Sequence, residues 1–304
     1  MRTMGKDNVG GCRGRQLALV VLVAFVSACG PEGNAIDPPV VAAPFPLLGS
    51  AGGFYVDEDN PAAVWARSAP PGPEADVIRD QIASRPAAQV VRAPDQVKQI
   101  VARAAGTNTM PILLVDPKQA EGCGTSHRAW LDGIAAGIGE APALVVIRTD
   151  EGCSTAAAKI LGALDRTIVL LDVSDSPSPA AAAEKIASTG RDVDGFAVNV
   201  RGYADETTAT ANAGAIRHQL LAATGRNDYF MVADSSRGGA PTAGDCNPAD
   251  ARVGQNQVLR PERDKLHLLW LTTPGVSDGP CGEAPASRAG EFVPALAYVL
   301  AKRP

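Results

Sequence analysis

Beyond Gly52 the chain alternates short, almost wholly apolar runs with stretches of helical period, and this pattern limits the fold more than any other feature of the sequence. The apolar runs fall at 54–56, 88–91, 111–115, 143–148, 167–172, 195–200, 229–234 and 266–272. Between them, helical segments are predicted at 94–105, 127–138, 155–164, 180–188, 204–224 and 288–301. A strand with no polar face has to be covered on both sides, as it is in a parallel sheet flanked by helices. Seven or eight such units in roughly 250 residues predict a single α/β domain built as a closed or nearly closed parallel (β/α) barrel. An open doubly wound sheet is the alternative. No GxGxxG or P-loop motif follows any strand, which argues against nucleotide binding.

The N-terminus reads as an export signal. Arg2, Lys6, Arg13 and Arg15 precede a short apolar run at 17–25, and Val26-Ser27-Ala28 leads into Cys29. Small residues ahead of a cysteine suit a cleavage pocket that accepts little bulk, and the thiol is then the acylation site. The run is about half the roughly 20 residues needed to span a bilayer. Residues 1–28 are therefore expected to be a lipoprotein signal peptide and Cys29 the lipidated first residue of the mature chain. Residues 29–50, rich in proline, would form a tether, and 51–304 the globular domain. The expected location is the outer face of the cytoplasmic membrane, with membrane contact through the lipid alone.

Without the signal, 24 basic residues face 32 acidic ones, a net charge of −8. That balance, with no basic run outside the signal, argues against nucleic acid as a partner. Four cysteines remain for the globule, Cys123, Cys153, Cys246 and Cys281, and an even set in an exported chain suggests two disulfides. Three pairings are open. The nearest-neighbour one, Cys123 with Cys153 and Cys246 with Cys281, would staple two long loops. No CxxC pair supports a zinc site, and His127, His218 and His267 are scattered, so neither a metal nor another cofactor is expected.

In a parallel α/β fold the chemistry sits at the carboxyl ends of the strands. Those ends carry Asp116, Asp150, Asp172 and Asp234, and a later loop carries Asp278. Carboxylates converging without a histidine beside a nucleophile suit acid/base work on a neutral substrate, as in glycoside hydrolysis. The competing expectation is that some of them cap helices or pair with arginines.

Several stretches, in order, resemble glycoside hydrolase family 6, the inverting cellulases. They are Gly53-Phe54-Tyr55-Val56-Asp57 with Asn60-Pro61-Ala62-Ala63 and Trp65, the helix-like 127–139, the strand 142–150, Gly195-Phe196-Ala197-Val198-Asn199-Val200, Asp234-Ser235-Ser236-Arg237, Cys246-Asn247-Pro248, and 274–281. The resemblance covers about residues 50 to 300. It implies a distorted parallel barrel, a cleft roofed by two disulfide-bonded loops, and the pairings Cys123–Cys153 and Cys246–Cys281. It also implies that Asp150 protonates the glycosidic oxygen and that Asp278 is the aspartate debated as the base. An aromatic platform is expected near Phe54 or Tyr55, and Trp270 could stack on sugar from a strand end, although an apolar setting makes core packing the competing expectation. The implied partner is an oligo- or polysaccharide bound by a monomer.

The departures from the family pattern are concentrated at the substrate. Glu121-Gly122 stands where an Arg-Asp pair is usual, and Arg148-Thr149 replaces Glu-Pro before Asp150. A cation beside Asp150 would lower its pKa, the wrong direction for a general acid. The Asp-Ala-Gly-His-Ser-Gly-Trp motif has become Asp172–Ser178 without its histidine and tryptophan, and Gly202, Asp245, Thr272 and Val276 replace sugar-contacting residues. Framework positions persist while sugar contacts do not, so cellulose is an unexpected substrate. Three functions follow: an inverting, β-1,4-glucanase-like hydrolase of altered specificity acting on an envelope glycan; a degenerate member that binds glycan or a cell-wall partner without turnover; or a structural scaffold.

Overall fold

The structure is a computed structural model that describes residues 48, 51–116, 124–148, 153–259 and 266–302. The signal, Cys29, most of the tether, Cys123 and Asp150 lie outside the described residues.

Seven strands form one sheet: β1 Gln89–Val91, β2 Ile112–Val115, β3 Ala143–Ile147, β4 Thr167–Asp172, β5 Gly195–Val198, β6 Phe230–Asp234 and β7 Leu266–Leu269. Their spatial order is their sequence order, and every adjacent pair is parallel. Every crossover therefore steps the same way and the sheet curls; a doubly wound sheet would reverse direction at a switch point. The barrel reading holds. One backbone bond carries the curl round to its start: the Ala88 N–H donates to the Trp270 carbonyl at 2.9 Å, linking the foot of β1 to the head of β7.

Alternate strand residues separate into two apolar layers, as the two-residue period requires. Ile112, Leu114, Leu144, Val146, Ile168, Leu170, Phe230 and Val232 pack together inside the curl. Leu113, Val115, Val145, Ile147, Val169 and Leu171 face outward onto the helices. Those helices are α1 Pro61–Ser68, α2 Pro73–Ile78, α3 Pro94–Gly106, α4 Thr125–Ile138, α5 Ser154–Leu161, α6 Pro179–Ala187, α7 Glu206–Thr224 and α8 Pro294–Ala301. No helix among the described residues is long and apolar enough to cross a membrane.

Two expected elements are shorter than the apolar pattern suggested. The run at 54–56 makes a single parallel bridge, Phe54 to Met110, because the chain turns directly into α1: the Asn60 side chain accepts the Ala63 N–H at 2.9 Å and Pro61 follows as the first helical residue. The helix expected over 288–301 starts at Pro294. Gly290 has φ +82°, and Phe292 is held in an antiparallel bridge to Val276, so the chain is not helical before the proline.

Candidate active site

The carboxyl ends of β3 to β6 and the loop after β7 gather a set of charged side chains. Asp278 is the centre of it. Arg237 Nη1 donates to both of its carboxylate oxygens, each at 2.9 Å, and the Tyr203 hydroxyl donates to Oδ2 at 2.6 Å. Arg237 also lies over the Tyr203 ring, 4.0 Å from its centroid, and donates to its hydroxyl at 2.7 Å. The Arg237 side chain is 1 % exposed and that of Asp278 19 %, so loss of the carboxylate would strand a buried charge. Burial, outweighing the Arg237 charge, pushes the Tyr203 phenol far above its ordinary pKa, so it serves as a hydrogen donor.

The loop that presents Asp278 is pinned from below. Asn247, fully buried with φ +45°, accepts the Asp278 N–H at 3.1 Å and donates to the Ser277 hydroxyl and the Gly279 and Cys281 carbonyls at 3.0, 2.9 and 3.2 Å. Its neighbour Cys246 is disulfide-bonded to Cys281, with the Cα atoms 6.0 Å apart. The side chain and the covalent bridge hold the same turn.

Asp234, at the end of β6, ties three strand ends together. Its carboxylate accepts backbone N–H groups from Arg201 at 2.8 Å, Ser236 at 2.9 Å and Leu271 at 3.1 Å. Burial pushes its pKa up against the pull of these donors. With three backbone N–H groups on its carboxylate, Asp234 is a structural staple. Asp172, at the end of β4, accepts the Ser174 N–H at 2.9 Å, and Arg148 Nε approaches its other oxygen at 3.8 Å. Burial raises the Asp172 pKa, and the bonds from Ser174 and the Arg148 charge oppose that rise. Arg148, following β3, reaches outward to Asp175 as well, at 3.4 Å.

The sequence-derived site residues divide. Asp278 and Arg237 meet at the carboxyl face, and Asp172 and Arg148 pair there. Asp150, two residues beyond Arg148, and Cys123 lie outside the described residues. Cys153 is disulfide-bonded; since Cys246 and Cys281 hold each other, its partner also lies outside the described residues. Phe54 and Tyr55 are a correction. They are 5 % and 6 % exposed and lie beside Met110 at the foot of β2, the amino end of the sheet, with their rings in the two core layers. Trp270 is likewise taken up by packing: it is 3 % exposed among Ala62, Ile78, Ile82 and Ala297, and its Nε1 donates to the Gly254 carbonyl at 3.3 Å. Residues that sequence reasoning passed over are Tyr203, Arg201 and Asn247. A polar-tipped aromatic just past an apolar strand needs a partner for its hydroxyl, and that was the available signal for Tyr203.

No family model matches the sequence. Among curated proteins, the chain is 29 % identical over 321 residues to endoglucanase 1 of Streptomyces halstedii, covering 93 % of this chain and 96 % of the relative. It is 30 % identical over 291 residues to endoglucanase A of Thermobispora bispora, covering 82 % of this chain and 61 % of the relative. Among solved structures, the endoglucanase Cel6 of Mycobacterium tuberculosis, in complex with methyl-cellobiosyl-4-deoxy-4-thio-β-D-cellobioside, superposes with a TM-score of 0.70 at 25 % identity over 84 % of this chain and 97 % of that one. The curled seven-strand barrel, the aspartate held at its carboxyl face and these relatives agree: the chain belongs to glycoside hydrolase family 6.

Proposed function

We propose that this protein is an inverting glycoside hydrolase of the glucanase type with altered specificity, acting on a glycan at the cell envelope as a monomer tethered through a lipid on Cys29. The observation that carries this reading is the Arg237–Tyr203–Asp278 constellation at the carboxyl face of a family 6 barrel whose curated relatives are endoglucanases. Asp150 is the proton donor in this account, since it follows β3 directly and fills the acid's position in the family pattern. Asp278 contributes differently from a free base. Both of its oxygens already accept strong donors, so it stabilises the positive charge that develops on the sugar ring and orients the neighbouring groups. Inversion requires water to attack the face opposite the leaving group while Asp150 protonates the departing oxygen.

One observation favours the alternative of a member that binds glycan without turnover. Arg148, in the place of the family's glutamate, makes its ion pair with Asp172 and sets a cation two residues from the proposed acid. A single experiment separates the two. The purified protein is incubated with cello-oligosaccharides, mixed-linkage glucan and envelope polysaccharides, and new reducing ends are counted. Turnover on one of them, abolished by Asp150→Asn with binding retained, supports the hydrolase. Binding with no release from any member of the panel refutes it in favour of the binder.

A further inference from the structure

Among the described residues three arginines converge on the carboxyl face, and two of them are matched to acids there. Arg148 is matched to Asp172 and Asp175, and Arg237 to Asp278. Arg148 also donates to the Val200 carbonyl at 3.4 Å, which brings it against the segment that carries the third, Arg201. Arg201 is half-buried, and its backbone is fixed at φ +60° by the bond from its N–H to Asp234 at 2.8 Å. Among the described residues its guanidinium has neither a hydrogen bond nor an ion pair. A non-glycine residue in the left-handed region, held there by a buried carboxylate, is a backbone arrangement that stays in place only when its surroundings over-determine it.

The electrostatics add to the geometry. Burial, with the nearby charges of Arg148 and Arg237, lowers the Arg201 pKa, while Asp278 and Asp116 act in the opposite direction. Guanidinium groups present a planar fork that matches carboxylate and phosphate oxygens. The aromatics expected to hold a neutral pyranose, Phe54, Tyr55 and Trp270, are all in the core.

We propose that Arg201 is a specificity-determining residue that receives an acidic substituent, carboxylate or phosphate, on the glycan bound at this face. The inference rests on the face being a glycan site and names the class of glycan. A charge-assisted pair to a half-buried guanidinium makes an acidic oligosaccharide bind about tenfold or more tightly than its neutral counterpart.

The test is calorimetric titration of the whole mature protein with three probes of equal length: a neutral cello-oligosaccharide, a uronate-containing oligosaccharide and a phosphorylated glucan oligosaccharide. The wild type is compared with Arg201→Asn, which removes the cation while tolerating a left-handed φ. The expected result is a preference for one or both acidic probes that weakens with salt and disappears in Arg201→Asn, with unchanged melting behaviour. Which acidic probe binds identifies the substituent. Equal binding of the neutral probe, or an acid preference that survives Arg201→Asn, overturns the assignment and leaves the glycan reading standing. Binding of none of the three overturns both.

Discussion

Replacing Asn247 with alanine removes the side chain that holds the Asp278 loop, and the cost can be worked out bond by bond. The Gly279 carbonyl keeps the Cys281 N–H at 2.9 Å and the hydroxyls of Ser277 and Ser287 at 3.0 and 3.2 Å, so it stays satisfied. The Asp278 N–H loses the Asn247 acceptor, and the Cys281 carbonyl, which also accepts the Ala284 N–H at 3.0 Å, loses a donor. Leaving a part-buried N–H unpaired costs about 1–3 kcal/mol, and the remaining lost bonds about 1 kcal/mol together. Alanine at φ +45° adds about 1 kcal/mol over asparagine. The sum is about 3–5 kcal/mol, or roughly 6–20 °C in melting temperature for a domain of this size. Urea unfolding followed by tryptophan fluorescence measures it. Asn247→Gly keeps the bond losses but removes most of the backbone cost, so it should be less destabilised than Asn247→Ala by several tenths of a kcal/mol or more. A loss below about 1 kcal/mol in the alanine variant, or a glycine variant worse than alanine, would refute the reasoning.

Three further outcomes follow. Non-reducing peptide mapping should recover Cys246 with Cys281 and Cys153 with Cys123, and breaking the first bridge, which spans 35 residues, should lower stability by up to about 4 kcal/mol on the chain-entropy model; a peptide joining Cys153 to Cys29 would contradict the proposed pairing. His267, fully buried and stacked on Phe230 at 4.2 Å, has its pKa lowered by burial to about 4. The unfolded chain therefore takes up its proton first, and the stability His267 confers as a neutral ring is present above about pH 6.5 and lost as pH falls toward 4, by roughly 2–3 kcal/mol; unfolding curves of His267→Gln should be flatter across that window, and an identical slope would remove the assignment. Cys29→Ala should release the protein from the membrane fraction or block its processing, and unchanged retention and mobility would count against a lipid anchor.

The strands were legible because burial on both faces leaves an unbroken apolar run, and each run from 88 onward contains one of β1 to β7. Aromatic positions were misread for a related reason. An aromatic in an apolar run shows that it will be near a sheet but not which end or face it occupies, and for Phe54 the answer depends on a pairing with Met110, 56 positions away in sequence. The same holds at the site. Tyr203 and Asp278 are 75 residues apart and Arg237 and Asp278 are 41 apart, so their triangle exists only once β5, β6 and the loop after β7 are laid side by side. The local pattern could mark Asp278 and Arg237 as chemically interesting; it could not show that they neutralise each other, and the electrostatic role proposed for Asp278 rests on that contact.

The central claim is inverting hydrolysis with Asp150 as acid, and the anomeric configuration of the first-formed product tests it most directly. Proton NMR of a β-linked substrate during early turnover should show the α-anomer of the new reducing end appearing first and mutarotating afterwards, with the signal absent in Asp150→Asn. Initial accumulation of the β-anomer, or turnover by Asp150→Asn above about a tenth of wild type, would contradict the account.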